Sequence, residues 1–187
     1  MAVYTALRRA RKAAHLSLHQ LGRRVGYSTQ MMSAVETGRR TLAPDVSLAS
    51  ARQLDDPELY MALAEEATGG VMVAIALDGP RVDLHRLAVE RKLIEESGET
   101  LRALAECGEL TNCGTAGELT PEGRERVKHL LHEAIELQTC VGNKVRTICR
   151  DYSFSPAALY REHVAELVQK GYAAPKREAS VNARAAS

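Results

Sequence analysis

Three features of the sequence predict an all-α protein. Ala, Leu, Glu and Arg dominate, all good helix formers. Aromatic residues make up only 4%, with one Phe and no Trp. Apolar residues recur at three-four spacing along most of the chain. A length of 187 residues fits one or two small domains and suffices for a hydrophobic core. The longest unbroken apolar run, Val71 to Leu77, is too short to cross a bilayer, so no membrane partner is expected.

The elements follow in order. Tyr4, Leu7, Ala10 and Ala14 form the apolar face of a first helix whose arginines point outward. Ser17 and Gln20 have the spacing of a capping box, so a second helix begins at Ser17, and Gly26 stops it. Ser28 is placed to cap a third helix, with Met32 and Val35 facing inward and Gly38 as its left-handed end. Pro44-Asp45 opens a fourth helix, and Asp56-Pro57 a fifth that runs to about Thr68 before Gly69-Gly70. Residues 71–83 read equally as a short buried strand or a packed extended linker. Leu84 to about Glu106 predicts a helix carrying Leu87, Ile94 and Leu101 seven apart, with Leu84, Ala88 and Leu104 beside them. A loop with Thr111 and Asn112 follows. Thr120-Pro121 then starts a long helix reaching almost to Arg150, with Val127, Leu130, Leu131, Ala134, Ile135, Gln138, Val141, Val145 and Ile148 along one stripe. That length favours packing against a second subunit. Ser155-Pro156 opens a last helix with Leu159, Val164, Leu167 and Val168 expected inward, ended by Gly171. The expected organisation is therefore a domain over 1–68, a linker or packed extended segment over 69–83, a helical domain over 84–172 and a disordered tail over 173–187.

Charge is divided unevenly between these parts. Residues 1–52 hold nine Lys and Arg against two acids, a net of +7, whereas the remainder holds 16 bases against 22 acids, a net of −6. A compact basic domain joined to an acidic one fits a polyanion as the partner of the basic part and fits a solvated helical surface equally well, so the decision rests on motifs. The basic cluster Arg8-Arg9 precedes any apolar segment, the reverse of a secretory signal, which makes a cytoplasmic location the expectation. The four cysteines, Cys107, Cys113, Cys140 and Cys149, are then expected as reduced thiols.

Residues 7–40 carry the most specific pattern. Leu7 and Arg11 stand on the first helix, Leu16-Ser17 and Leu21-Gly22 on the second, Gly26-Tyr27-Ser28 at the turn, and Met32-Ser33, Val35-Glu36 and Gly38 on the third. A small residue at position 22 allows close helix crossing, and Met32 with Val35 anchors the third helix so that its other face stays free. Collinear and without gaps over about residues 3–66, this pattern resembles the helix-turn-helix of the Xre/Cro/lambda-repressor family of bacterial and phage regulators. The resemblance implies a five-helix lambda-repressor-like domain, followed here by a helical C-terminal domain, and double-stranded DNA as partner. It implies that Ser28 and the neighbouring main-chain amides hold a phosphate, while Thr29, Gln30, Ser33 and Ala34 face base edges. Gln30 is the best specific reader, since its amide can pair with adenine. Arg39 and Arg40 fall in the family's phosphate-contacting loop. Arg11 and Glu36 fall opposite each other, suited to a partly buried ion pair that sets the tilt of the third helix. Leu18 departs from the family pattern, in which a glutamine there often binds phosphate.

Other groupings are weaker. His129 and His132 are i, i+3 neighbours, a spacing that could ligate one metal with Cys107 and Cys113, but neither cysteine pair has Cys-x-x-Cys spacing, so they read as surface histidines. Cys140 and Cys149 read as buried thiols. Glu95, Glu96 and Glu99 read as a solvated acidic face. No phosphate-binding glycine loop, nucleophile elbow or zinc-protease helix occurs, so the expectation is a non-enzyme without cofactor. The predicted function is a sequence-specific, repressor-like DNA-binding transcriptional regulator acting as a homodimer through its C-terminal helices, with a ligand or protein partner there left open. The alternatives are a protein-interaction adaptor or a small-molecule sensor on the same scaffold.

Overall fold

The computed structural model describes residues 2–108 and 116–175, and every regular element among them is helical. Five short helices come first: α1 (Val3–Ala13), α2 (Leu18–Val25), α3 (Thr29–Glu36), α4 (Pro44–Leu54) and α5 (Pro57–Thr68). Ser17 and Gln20 form a complete capping box at α2, Ser28 caps α3 and Asp56 caps α5, each satisfying main-chain donors that a helix start leaves free. Their inward faces close one core around Leu7, Leu21, Met32, Val35, Val46 and Leu59. Within it α1 packs on α5 and α3, while α2 packs on α3 and α4. Gly22 is needed where α2 meets the turn, because a Cβ there would collide with the carbonyl oxygen of Tyr27.

Beyond Gly70 the chain turns at residues 71–73 and then runs extended along the helix Pro121–Tyr152 without a ladder partner, so residues 71–83 form no strand. Its main-chain groups are satisfied by side chains from far along the sequence. Asn143 accepts from Leu77 N at 3.1 Å and donates to Ile75 O at 2.8 Å, Arg146 donates to Leu77 O at 3.0 Å, and Gln138 donates to Met72 O at 3.3 Å. Gly142 lets the segment lie close, since a Cβ there would occupy the place of the Ala74 side chain.

The rest is a long hairpin and a final helix: α6 (Arg86–Cys107), a one-turn 3₁₀ helix (Ala116–Glu118), α7 (Pro121–Tyr152) and α8 (Pro156–Gln169). At about 1.5 Å per residue, the 32-residue α7 spans roughly 48 Å. α6 packs along it, and α7 also touches α5. The start of α8 is tied to the end of α4: Ser155 Oγ donates to an Asp55 carboxylate oxygen, and Ala157 N donates to the other at 3.2 Å.

The spacing of apolar residues along the hairpin does not mark the face that it buries. α6 turns Val89, Glu96, Ala103 and Cys107 inward, leaving Leu87, Ile94 and Leu101 about two-thirds exposed. On α7 the buried side chains are Cys140, Asn143, Arg146, Thr147 and Cys149, whereas Leu131, Ile135 and Val141 are exposed. On α8 only Pro156 is buried, and Leu159 and Val164, expected inward, are exposed. Leu167 and Val168, also expected inward, are half-buried. Thr111, Asn112, Cys113 and the tail from 176 onward lie outside the described residues. Among those described, no helix is long and apolar enough to cross a membrane.

Candidate nucleic-acid interface

The α2–turn–α3 unit divides its residues by face. Met32 and Val35 of α3 are buried in the core and Glu36 is buried beside them, while Thr29, Gln30 and Ser33 are exposed and Ala34 is half-buried. Gly26 ends α2 in the left-handed conformation, and Tyr27 N donates to Gly22 O at 2.8 Å, so the turn is closed within three residues of Ser28. Ser28 Oγ accepts from Met31 N at 3.2 Å; the hydroxyl is exposed and caps the end of α3 where main-chain N–H groups point outward.

The loop after α3 is tied to the same helix. The main-chain amides of Arg39 and Arg40 both donate to Ala34 O, at 2.9 and 3.2 Å, while Thr37 Oγ1 donates to Ser33 O at 2.8 Å. Arg39 and Arg40 are exposed, on a backbone that their amides tie to the end of α3. Tyr27 Oη accepts from Ala43 N at 3.3 Å and links the turn to the start of α4. Neither this link nor the shared Ala34 carbonyl shows in the sequence, because both depend on how the loop returns over the core.

Arg11 and Glu36 meet. Arg11 Nε donates to Glu36 Oε1 at 2.6 Å and Nη2 donates to Oε2 at 2.8 Å, a two-pronged pair with both side chains buried. A third bond runs from Arg11 Nη1 to Leu16 O at 2.6 Å, just before the cap of α2. One guanidinium thus joins α1, the start of α2 and the end of α3. Hydrogen bonding to Glu36 holds Arg11 even more firmly protonated than a free arginine, against the opposing effect of burial.

Residues 5–58 match the family model of a helix-turn-helix domain. The domain points to a DNA-binding regulator. No curated protein and no solved structure gives a significant match.

The remaining sequence candidates fall as follows. Leu18 packs half-buried against the core of the helix-turn-helix domain, so its side chain braces α2 from inside. Arg8, Lys12, Arg23 and Arg24 are exposed, and Arg9 lies 3.8 Å from Glu58 of α5. His129 and His132 are exposed on α7, His129 at 3.5 Å from Glu133. Cys107, Cys140 and Cys149 are buried, and burial pushes the thiols of Cys140 and Cys149 up. Glu95 is exposed, but Glu96 is among the most buried side chains of the protein, which a solvated acidic face does not account for.

Proposed function

We propose that the protein is a sequence-specific, repressor-like transcriptional regulator of the Xre/Cro/lambda-repressor type that binds double-stranded DNA as a homodimer. One observation carries this reading: the polar face of α3 is exposed beside Arg39 and Arg40, while its apolar face is buried and its end is held by the Arg11–Glu36 pair. Ser28 and the amides of the α3 start would hold a phosphate. Gln30 would read adenine, Thr29 and Ser33 would reach neighbouring base edges, and Ala34 would offer a methyl contact to thymine. The exposed leucine and isoleucine rows of α6 and α7 supply a surface for a second copy, which would space two half-sites about one helical turn apart.

The salt dependence of binding tests the reading. If each subunit neutralises about four phosphates, the logarithm of affinity falls against the logarithm of salt with a slope of roughly −7 for a dimer. Replacing Arg39 and Arg40 with alanine flattens that slope and weakens all DNA sequences about equally, whereas Gln30→Ala relaxes preference at one base pair. A protein whose affinity for DNA depends on neither salt nor sequence is no regulator of this kind.

A small-molecule sensor on the same scaffold draws on a separate observation. Arg146 is almost fully buried, its Nε has no hydrogen-bond partner, and it lines a cleft of about 220 Å³ with Arg9, Glu58 and Leu77 between the helix-turn-helix domain and α7. Calorimetry with acetate and inorganic phosphate, compared between the native chain and Arg146→Met, separates this role from a purely structural one.

A further inference from the structure

Between α6 and α7 three glutamates converge. Glu96 and Glu99 stand one turn apart on α6, Glu133 faces them from α7, and one carboxylate oxygen from each lies within 4.8 Å of the others. One oxygen of each is turned toward a base: Glu96 Oε1 lies 2.5 Å from Lys92 Nζ, Glu133 Oε1 lies 3.5 Å from His129 Nδ1, and Glu99 Oε1 lies 3.8 Å from Arg102 Nη2. The second oxygens of Glu96 and Glu133 are buried and meet no basic donor, and a fourth carboxyl, Glu136 of α7, hydrogen-bonds with Glu96, whose charge pushes the Glu136 carboxyl above its ordinary range. Glu96 itself is only 1% exposed. A buried carboxylate oxygen without a donor is costly, and three carboxylates this close repel one another. One ammonium, already committed to the other oxygen of Glu96, does not answer both orphaned oxygens.

The backbone at this level is braced. Thr100 Oγ1 donates to Glu133 O at 3.2 Å across the two helices, so the carboxylates meet on a frame that is already joined. Oxygen donors without thiols suit hard divalent cations, and the bases on the outer oxygens orient the carboxylates as partners of metal ligands commonly do.

We propose that Glu96, Glu99 and Glu133 bind one hard divalent cation of the Ca²⁺, Mg²⁺ or Mn²⁺ class, with water completing its coordination, and that the cation clamps α6 to α7. At about 100° per residue, Glu96 stands on the opposite side of α6 from Leu87, Ile94 and Leu101. The bound ion therefore sets the rotation of α6 and holds that apolar row outward.

The test uses the full chain, stripped with chelator and titrated with Mn²⁺ while free ion is followed by electron paramagnetic resonance. Thermal unfolding is recorded alongside, and Ca²⁺ and Mg²⁺ serve as competitors. One Mn²⁺ bound per chain with a raised unfolding temperature is expected, and Glu96→Gln and Glu133→Gln should each weaken binding about tenfold or more. Glu99→Gln, at a less buried position, carries the same expectation where circular dichroism shows that a more buried variant has lost helix. No binding at about 1 mM ion, or equal binding by the native chain and folded variants, overturns the proposal.

Discussion

The helix-turn-helix domain and the hairpin that follows it are built on opposite plans. In the first, the fully buried large side chains are Leu7, Leu21, Met32, Val35 and Leu59, and the one buried ion pair joins Arg11 to Glu36. In the second, Arg146, Glu96, Asn143 and Thr147 are the large side chains most completely buried, while Leu87, Ile94, Leu101, Leu131 and Ile135 face outward. Apolar burial is non-directional, so a core made of it is complete within one chain. Polar groups in an interior need particular partners at particular distances, so the hairpin's interior specifies alignment more than it supplies driving force. The exposed rows of α6 and α7 supply the complementary need, a large apolar surface of the sort that usually marks an interface.

The sharpest way to break this comparison is at the ion pair. Arg11→Met should cost about 3–5 kcal/mol, because it leaves the Glu36 carboxylate buried and uncompensated, and Glu36→Gln should also destabilise. The double variant should cost much less than the sum, since the two groups lie in one contact. A thermal-unfolding double-mutant cycle measures this; small additive losses would place the pair among exposed bridges worth about 0–1 kcal/mol.

Leucine truncation probes the two plans directly. Leu21→Ala removes a side chain with no exposure and should cost about 2–5 kcal/mol at any protein concentration. Leu101→Ala, about two-thirds exposed, should cost no more than about 0.5 kcal/mol in dilute solution, with a loss that grows as concentration is raised if a second copy covers it. Unfolding curves at two concentrations a hundredfold apart distinguish these outcomes. A concentration-independent Leu101 variant means that the outer row is not a dimer surface.

Asn143 ranks next. Asn143→Ala strands Leu77 N and Ile75 O, and about 1–3 kcal/mol should be lost, with faster amide exchange at Leu77 as the local signature. Exchange that stays slow would show that Arg146 alone holds the segment.

The smallest effect concerns pH. Burial raises the folded-state pKa of Cys140 and Cys149, so the unfolded chain releases those protons first as pH climbs. Their contribution to stability is therefore intact below the unfolded thiol value of about 8.5 and falls as pH rises from there toward the raised folded values. Cysteine occurs only beyond residue 106, so the alkaline loss should appear in α7 and spare the helix-turn-helix domain. Melting curves between pH 7 and 10 should flatten in Cys140→Ala and Cys149→Ala; an unchanged slope would assign the loss to other groups.

The local grammar of the fold was legible in the sequence. Ser17 with Gln20, Ser28, Thr120 and Ser155 are caps in the structure, and Pro44, Pro57, Pro121 and Pro156 open their helices, because a cap or a first-turn proline acts on groups within three or four residues. The opposed placement of Arg11 and Glu36 came from the family pattern rather than from spacing, and the Leu16 carbonyl that completes their site left no trace in sequence.

Sequence by itself determined which residues make helices and where they start, since those properties depend on neighbours a turn away. Only the tertiary structure decided that α6 turns Glu96 inward and its leucines outward, that residues 74–77 run extended on α7, and that Asp55 ties down Ser155. A helix with an apolar row on one side and partnered polar groups on the other has two faces it can bury. Which one turns inward is set by the groups that meet it, here Glu133 and the braced backbone of α7, and those lie more than thirty residues away.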